Sequence, residues 1–285
     1  MKWKQTSMLI AGLSMFIAAL VWSQMGVYLT HIFFGVDVPV NFFQFCISLF
    51  KEDSLYYFLI IFLLNTIIAY TILITGIKIV QQYVLLRRFR KKILTLRNEE
   101  YTAILNLDFN RPNQDIVVIN HDQALAFSMG FRNPIIVLST GLIDMLDGQE
   151  LEAVVHHESY HQQNYDSFKT FLLQLISQAI WYIPLTKWSY ENYKIISELS
   201  ADEYAIHKMG SELGLGSALI KLIKQGFHVN SAPVLVHFSD VSVNYRLQQL
   251  VEPEKSIPVK PDTPSVIISI YVLFLLMSMI VVVLA

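Results

Sequence analysis

The chain has 285 residues, 54% of them hydrophobic and 15% charged, with 21 Lys+Arg against 23 Asp+Glu and a formal net charge of -2. A disordered chain is excluded, because disorder requires few apolar residues and much charge. An ordinary soluble enzyme is disfavoured, since globular chains are about one quarter charged, and no basic excess supports direct nucleic-acid binding. The single cysteine, Cys46, excludes an intrachain disulfide or a Cys-built zinc site and reads as a small apolar side chain.

In chain order, three windows free of Asp, Glu, Lys and Arg approach the roughly 20 residues that span a bilayer: Gln5–Thr30, Ser54–Ile77 and Ser265–Ala285. The alternative, buried core helices, fits their length less well. The first run is too long for a signal peptide and lacks a clear cleavage site, so it reads as an uncleaved anchor. Lys2 and Lys4 precede the first window, and Lys78, Arg87, Arg88, Arg90, Lys91, Lys92 and Arg97 follow the second, whereas the loop between them holds only Lys51. The positive-inside rule then predicts a multi-pass protein of the plasma membrane, with its N-terminus and the region after Lys78 in the cytoplasm. The run Arg87–Lys92 reads as a juxtamembrane patch beside anionic lipid. The loop His31–Asp53 carries six phenylalanines and suits anchoring in the membrane interface or sensing of lipids there.

This predicts an N-terminal membrane region with two transmembrane helices (1–81), one cytoplasmic domain (82–264) and a C-terminal transmembrane helix (265–285). The stretch Glu252–Pro264 contains four prolines and reads as a linker. A fourth charge-free run, at 170–186, is interrupted by Pro184 and ends among the aromatics Trp181, Tyr182 and Trp188. It suits either membrane association or a buried core helix.

The chemistry lies in Asp147–Asp166. Asp147 and Glu150 have capping-box spacing, and Leu151, Val154 and Val155 recur with helical periodicity, so a helix is predicted there. On it sits His157-Glu158-Ser159-Tyr160-His161, an H-E-x-x-H pattern. Residues four apart share one helix face, so both imidazoles can hold one metal ion, and Glu158 can take a proton from water activated there. His156 lies about 100° around the helix and reads as a neighbouring or surface histidine. A catalytic zinc needs a third protein ligand. Glu198 and Asp202, four apart in Ile195–Ala205, supply two carboxylates on one face: one can bind zinc and the other can orient a ligand histidine.

H-E-x-x-H followed by E-x-x-A-D resembles the gluzincin membrane peptidases, which include the HtpX-type, CAAX-prenyl and BlaR/MecR-type enzymes. Three further stretches resemble the BlaR/MecR type: Ala126–Leu142, Asp166 at the spacing of H-E-x-x-H-x-x-x-x-D, and Trp181–Leu185, similar to W-F-N-P-L. The resemblance covers roughly Val117–Ala205 and the layout of spans. It implies His157, His161 and Glu198 as Zn2+ ligands, Glu158 as general base and Asp202 as the residue orienting a histidine. It also implies that Ile135, Ile136, Val137 and Leu138 form the edge strand against which a peptide lies.

The sequence departs from the family pattern at Glu203, where arginine is frequent. His237 and Arg246 are the downstream candidates for a His and Arg pair, with His237 a possible transition-state residue, although their spacing matches poorly. The one Ser-x-x-Lys, Ser48–Lys51, lies in the short loop His31–Asp53, and nothing else resembles a penicillin-binding sensor, so such a sensor is not expected. The expected fold class is α+β, predominantly helical, with a cytoplasmic zincin-type metallopeptidase domain on a multi-span membrane protein. The expected activity is zinc-dependent endoproteolysis of a protein or peptide, such as a BlaI-type repressor. The rival readings are HtpX-like quality control, a non-catalytic membrane receptor or immunity protein, and a small-solute transporter. The absence of charge inside the spans argues against transport.

Overall fold

The computed structural model describes residues 2–36, 38, 41–52, 54–226, 240–252 and 260–284. His237 and most of the proline-rich stretch after Glu252 lie outside them. In chain order the elements are α1 (Lys2–Phe34), α2 (Phe42–Ser48), α3 (Leu55–Leu96), α4 (Glu99–Asp108), β1 (Ile116–Ile119), β2 (Ala126–Met129), β3 (Ile135–Ser139), α5 (Thr140–Met145), α6 (Gly148–Gln163), α7 (Asp166–Ala179), α8 (Pro184–Met209), α9 (Leu213–Gly226), α10 (Asp240–Val251) and α11 (Thr263–Leu284). The fold is α+β and predominantly helical. The chain divides into two units. One comprises 1–8, 83–171 and 192–258; the other comprises 9–82, 172–191 and 259–285.

The second unit is built from the apolar runs. α1 and α3 are long and apolar enough to cross a membrane. Only 11% of the most apolar stretch of α3 is buried, and Phe58, Leu59, Phe62, Leu63, Ile72 and Leu73 are all exposed. A soluble core helix would hide these side chains, and exposed apolar surface on this scale marks an interaction with lipid or protein. α3 has 42 residues, about 63 Å of helix against a hydrocarbon core of about 30 Å. The second charge-free window and the basic run Arg87–Lys92 are therefore parts of one continuous helix. Ile17, Val21, Tyr28, Phe42, Phe43, Ile68, Ile176, Ile180 and Ile183 form the core of this unit. Two phenylalanines of the His31–Asp53 loop thus face inward, on a short helix capped by Asn41, while Phe33 and Phe34 are exposed. The charge-free run at 170–186 is not one helix. α7 ends at Ala179 and Pro184 opens α8, because proline fits a first helical turn and breaks an interior one. The 14 residues of α7 give about 21 Å, short of a span.

The first unit holds a three-stranded sheet of order β1-β3-β2, with β1 parallel and β2 antiparallel to β3. Side chains alternate across it. Ile116, Val118, Ile136 and Leu138 pack on Val154 and Val155 of α6, while Val117, Ile119, Met129 and Val137 pack on Ile93 at the end of α3. The expected edge strand, Ile135–Leu138, is instead the central strand: its backbone is committed to β1 on one side and β2 on the other. Its short, continuous apolar sequence is the pattern of a strand buried on both faces. The outer edge of β1 is sealed. Asn106 bonds both the N–H and the C=O of Ile116, Thr102 Oγ1 accepts from Val118 N, and Asn98 N donates to Val118 O. The edge that remains is β2. There the pairing register turns Ala126 and Ser128 outward, and Ser167 Oγ donates to Ser128 O at 2.9 Å.

α6 starts where its sequence predicts. Asp147 and Glu150 form a reciprocal capping box. Glu150 is buried, and its carboxylate also takes Ser217 Oγ at 2.5 Å and Lys221 Nζ at 2.6 Å, which ties α9 to the start of α6. Near the other end, Gln162 Nε2 donates to Asp115 Oδ2 at 2.9 Å and to Pro134 O at 2.8 Å, and Arg111 bonds Gln162 and Ser159. Both ends of the helix are thereby fixed to neighbouring elements. Burial opposes ionisation of Glu150, but the bonds from Lys221, Ser217 and Asp147 hold its carboxyl below the usual range. A depressed folded-state pKa contributes stability above the unfolded value of about 4.3 and loses it as pH falls through the folded value. Glu150→Gln should therefore cost about 1.5–3 kcal/mol at pH 7. Denaturant unfolding of the two forms should converge as the solution is acidified below that range.

Candidate metal centre

α6 places His157 and His161 one turn apart on the same face, and α8 brings Glu198 against both. His157 Nε2 and His161 Nε2 are 3.1 Å apart. Glu198 Oε2 lies 3.4 Å from His157 Nε2, and Glu198 Oε1 lies 3.6 Å from His161 Nε2. These three residues form the one group of potential metal-holding side chains among the described residues. Tetrahedral ligands with bonds of about 2.0–2.1 Å stand about 3.3 Å from one another, so the observed separations match the edges of such a site.

The far nitrogens of both rings face carboxylates. His161 Nδ1 is 2.8 Å from Asp166 Oδ2, and His157 Nδ1 is 2.8 Å from Asp202 Oδ1. The second approach is oblique, and no aligned acceptor for His157 Nδ1 occurs among the described residues. If both Nδ1 atoms carry the proton, the two Nε2 lone pairs face each other at van der Waals distance. That arrangement is repulsive unless a cation lies between them. The donor set and its orientation therefore fit a metal ion.

Asp202 is itself held. Arg246 of α10 grips it with Nε and an amino nitrogen, both at 2.8 Å, and reaches Glu198 Oε2 at 3.2 Å. Tyr193 donates its hydroxyl to Asp166 Oδ1 at 2.7 Å. His157, Glu158, His161, Asp166, Asp202 and Arg246 are all buried. The Glu198 side chain is 31% exposed, so the cluster opens to solvent at that residue.

The electrostatics follow from this packing. Burial pushes the Glu158 carboxyl up, against the pull of the two imidazoles. Burial acts in the same direction on Glu198 and Asp202, but the imidazoles and Arg246 outweigh it and hold both below the usual carboxylate range. For His161, burial opposes the charged form, while Glu198 and Asp166 overcome it and push the ring up to about 10.

The side chains singled out from sequence thus divide plainly. His157, His161 and Glu198 converge; Asp202 lies behind His157; Glu158 is buried in the same electrostatic neighbourhood. His156 turns away toward Glu152, 3.7 Å distant, and Tyr204. His237 lies outside the described residues. Arg246, the candidate arginine of the downstream pair, contacts Glu198 and Asp202 of α8. Nothing in the sequence pointed to Tyr193.

A family model described as BlaR1 peptidase M56 matches residues 43–250. The match takes in every residue of this cluster, from His157 to Arg246. The chain belongs to this family of membrane-associated peptidases. No curated protein matches it. Removing the cation that serves two carboxylates exposes the structural cost of their burial: Arg246→Ala should destabilise the first unit by about 3–5 kcal/mol. Arg246→Lys should recover only part of that, because an ammonium cannot reproduce the bidentate fork. Thermal unfolding of the three proteins checks both statements.

Proposed function

We propose that the chain is a zinc-dependent endopeptidase anchored in the plasma membrane, with its site on the cytoplasmic side. The observation that carries this reading is the convergence of His157 Nε2, His161 Nε2 and the Glu198 carboxylate at tetrahedral spacing. In this reading those three residues hold the ion. Zinc, where bound, supplies Lewis acidity that polarises a carbonyl and acidifies water. Asp202 and Asp166 keep the two imidazoles turned toward the ion. Glu158 takes the proton of the attacking water and returns it to the leaving amine. A carboxyl raised by burial suits that task, since proton transfer is most effective when the pKa lies near the working pH.

A peptide substrate would lie along β2, the strand nearest α6 with an open edge, rather than along β3. Ala126 offers both backbone groups there and Ser128 its N–H. The function that best joins such a site to membrane anchoring is cleavage of a cytoplasmic regulator, with a BlaI-type repressor as the substrate that the family resemblance suggests. The signal would enter through the apolar helices, the Phe33–Phe34 surface or a partner protein.

Each of His157→Ala, His161→Ala and Glu198→Ala should lose most bound zinc, as metal analysis of purified protein would record. Glu158→Gln should keep zinc and lower turnover by about 100- to 10,000-fold. In cells, a Glu158→Gln strain should accumulate one or two uncut cytoplasmic regulators. Accumulation of many misfolded membrane proteins, with no regulator among them, would instead identify quality control. For orientation, reporter fusions after Arg97 and after Ala285 should report opposite sides of the membrane, with the Arg97 fusion inside.

A further inference from the structure

The two histidines of the cluster are supported differently. Asp202, behind His157, is gripped by a cation, Arg246. Asp166, behind His161, is held by a neutral phenol: Tyr193 Oη donates to Oδ1 at 2.7 Å, which leaves Oδ2 for His161 Nδ1 at 2.8 Å. Tyr193 is 1% exposed and Asp166 6% exposed, so each has exchanged water for this contact. A buried carboxylate held at a single oxygen can turn about its last bond. Held at both, it presents a fixed acceptor to the imidazole. A phenol also leaves the negative charge on Asp166, whereas a guanidinium shares it. That charge makes the facing Nε2 of His161 a better electron donor.

The backbone is shaped to make this contact. Between α6 and α7 the chain turns through Tyr165, whose φ is +54°, a conformation that is sterically costly for a side chain of its size. The turn places Asp166, five residues after His161, against its ring. Tyr193 also lies on α8, the helix that supplies Glu198. Its bond to Asp166, the first residue of α7, therefore links the helix of the carboxylate donor to the residue that holds His161 of α6.

We infer that Tyr193 is a positioning residue of the metal centre, fixing through Asp166 the tautomer and ring orientation of His161. This rests on the metallopeptidase reading above. The test uses the full-length protein in detergent, comparing wild type, Tyr193→Phe, Asp166→Asn and the double variant. Tyr193→Phe removes one hydroxyl and keeps the ring. Zinc affinity is read by chelator competition, ligand geometry by the visible absorption of the cobalt-loaded protein, and packing by thermal unfolding of the metal-free protein. The expected result is a 10- to 100-fold loss of zinc affinity in Tyr193→Phe, the scale typical of such supporting bonds, with a shifted cobalt spectrum and little change in metal-free unfolding. The double variant should bind zinc no more weakly than Asp166→Asn, because the two residues act in series. If Tyr193→Phe unfolds earlier while its zinc affinity and cobalt spectrum match wild type, the tyrosine is structural and the inference fails, with the metallopeptidase reading intact. If wild type itself holds no zinc, both fail.

Discussion

The organising constraint of this protein is a surplus of negative charge within one buried cluster. Glu158, Asp166, Glu198 and Asp202 are gathered around His157 and His161, and the Arg246 guanidinium contacts Glu198 and Asp202. Four carboxyl groups with one fixed cation cannot all remain ionised in a low-dielectric interior without further positive charge. Burial pushes the Glu158 carboxyl up against the pull of the imidazoles, and Glu198 and Asp166 push the His161 ring up to about 10 despite its own burial. A bound metal ion would meet the same demand at the same place, where two imidazole nitrogens and a carboxylate already stand at metal-ligand spacing. The features that look unfavourable as protein packing are coherent as an electrophile's surroundings.

Such a cluster needs a rigid frame, and the frame is α6. Its first turn is locked by the Asp147–Glu150 capping box together with Ser217 and Lys221. Its last turn is locked through Gln162 to Asp115 and Pro134 O. Val154 and Val155 seat its middle on the sheet. The histidines are thus carried on a helix whose position is set by contacts that do not involve them. α8 and α10 complete the site from outside that frame, the first with Tyr193, Glu198 and Asp202 and the second with Arg246. Because the functional groups come from four helices, α6, α7, α8 and α10, the site exists only when the first unit is folded.

The sheet shows how an open edge is managed. β3 is spent on its two neighbours. β1 is closed by the side chains of Thr102 and Asn106 and by the backbone at Asn98. Among the described residues only β2, beside α6, keeps unpaired outward groups at Ala126, and Ser167 covers the carbonyl of Ser128. An exposed strand edge invites pairing with other chains. Here its open part is short and lies at the helix that carries the histidines.

The sequence by itself determined the parts that depend on local periodicity. The long charge-free runs marked α1 and α3 because no soluble packing requires so many apolar residues in succession. The spacing of Asp147 and Glu150 marked the start of α6, since a capping box is closed within four residues. The five-residue H-E-x-x-H pattern put two imidazoles on one face by helix geometry alone. Tertiary structure decided what lies beyond that range. Glu198 and Asp202 were open alternatives by spacing, and only the approach of α8 sets one against the ring Nε2 atoms and the other behind His157. The family resemblance implied an edge for Ile135–Leu138, although its continuous apolar run suits a strand buried on both faces; strand order depends on which segments pair. The same limit hid Tyr193 and the partners of Arg246, which the sequence offered only as a candidate without a role. An arginine or tyrosine on a helix reads as surface or core until the fold shows which buried carboxylate it holds.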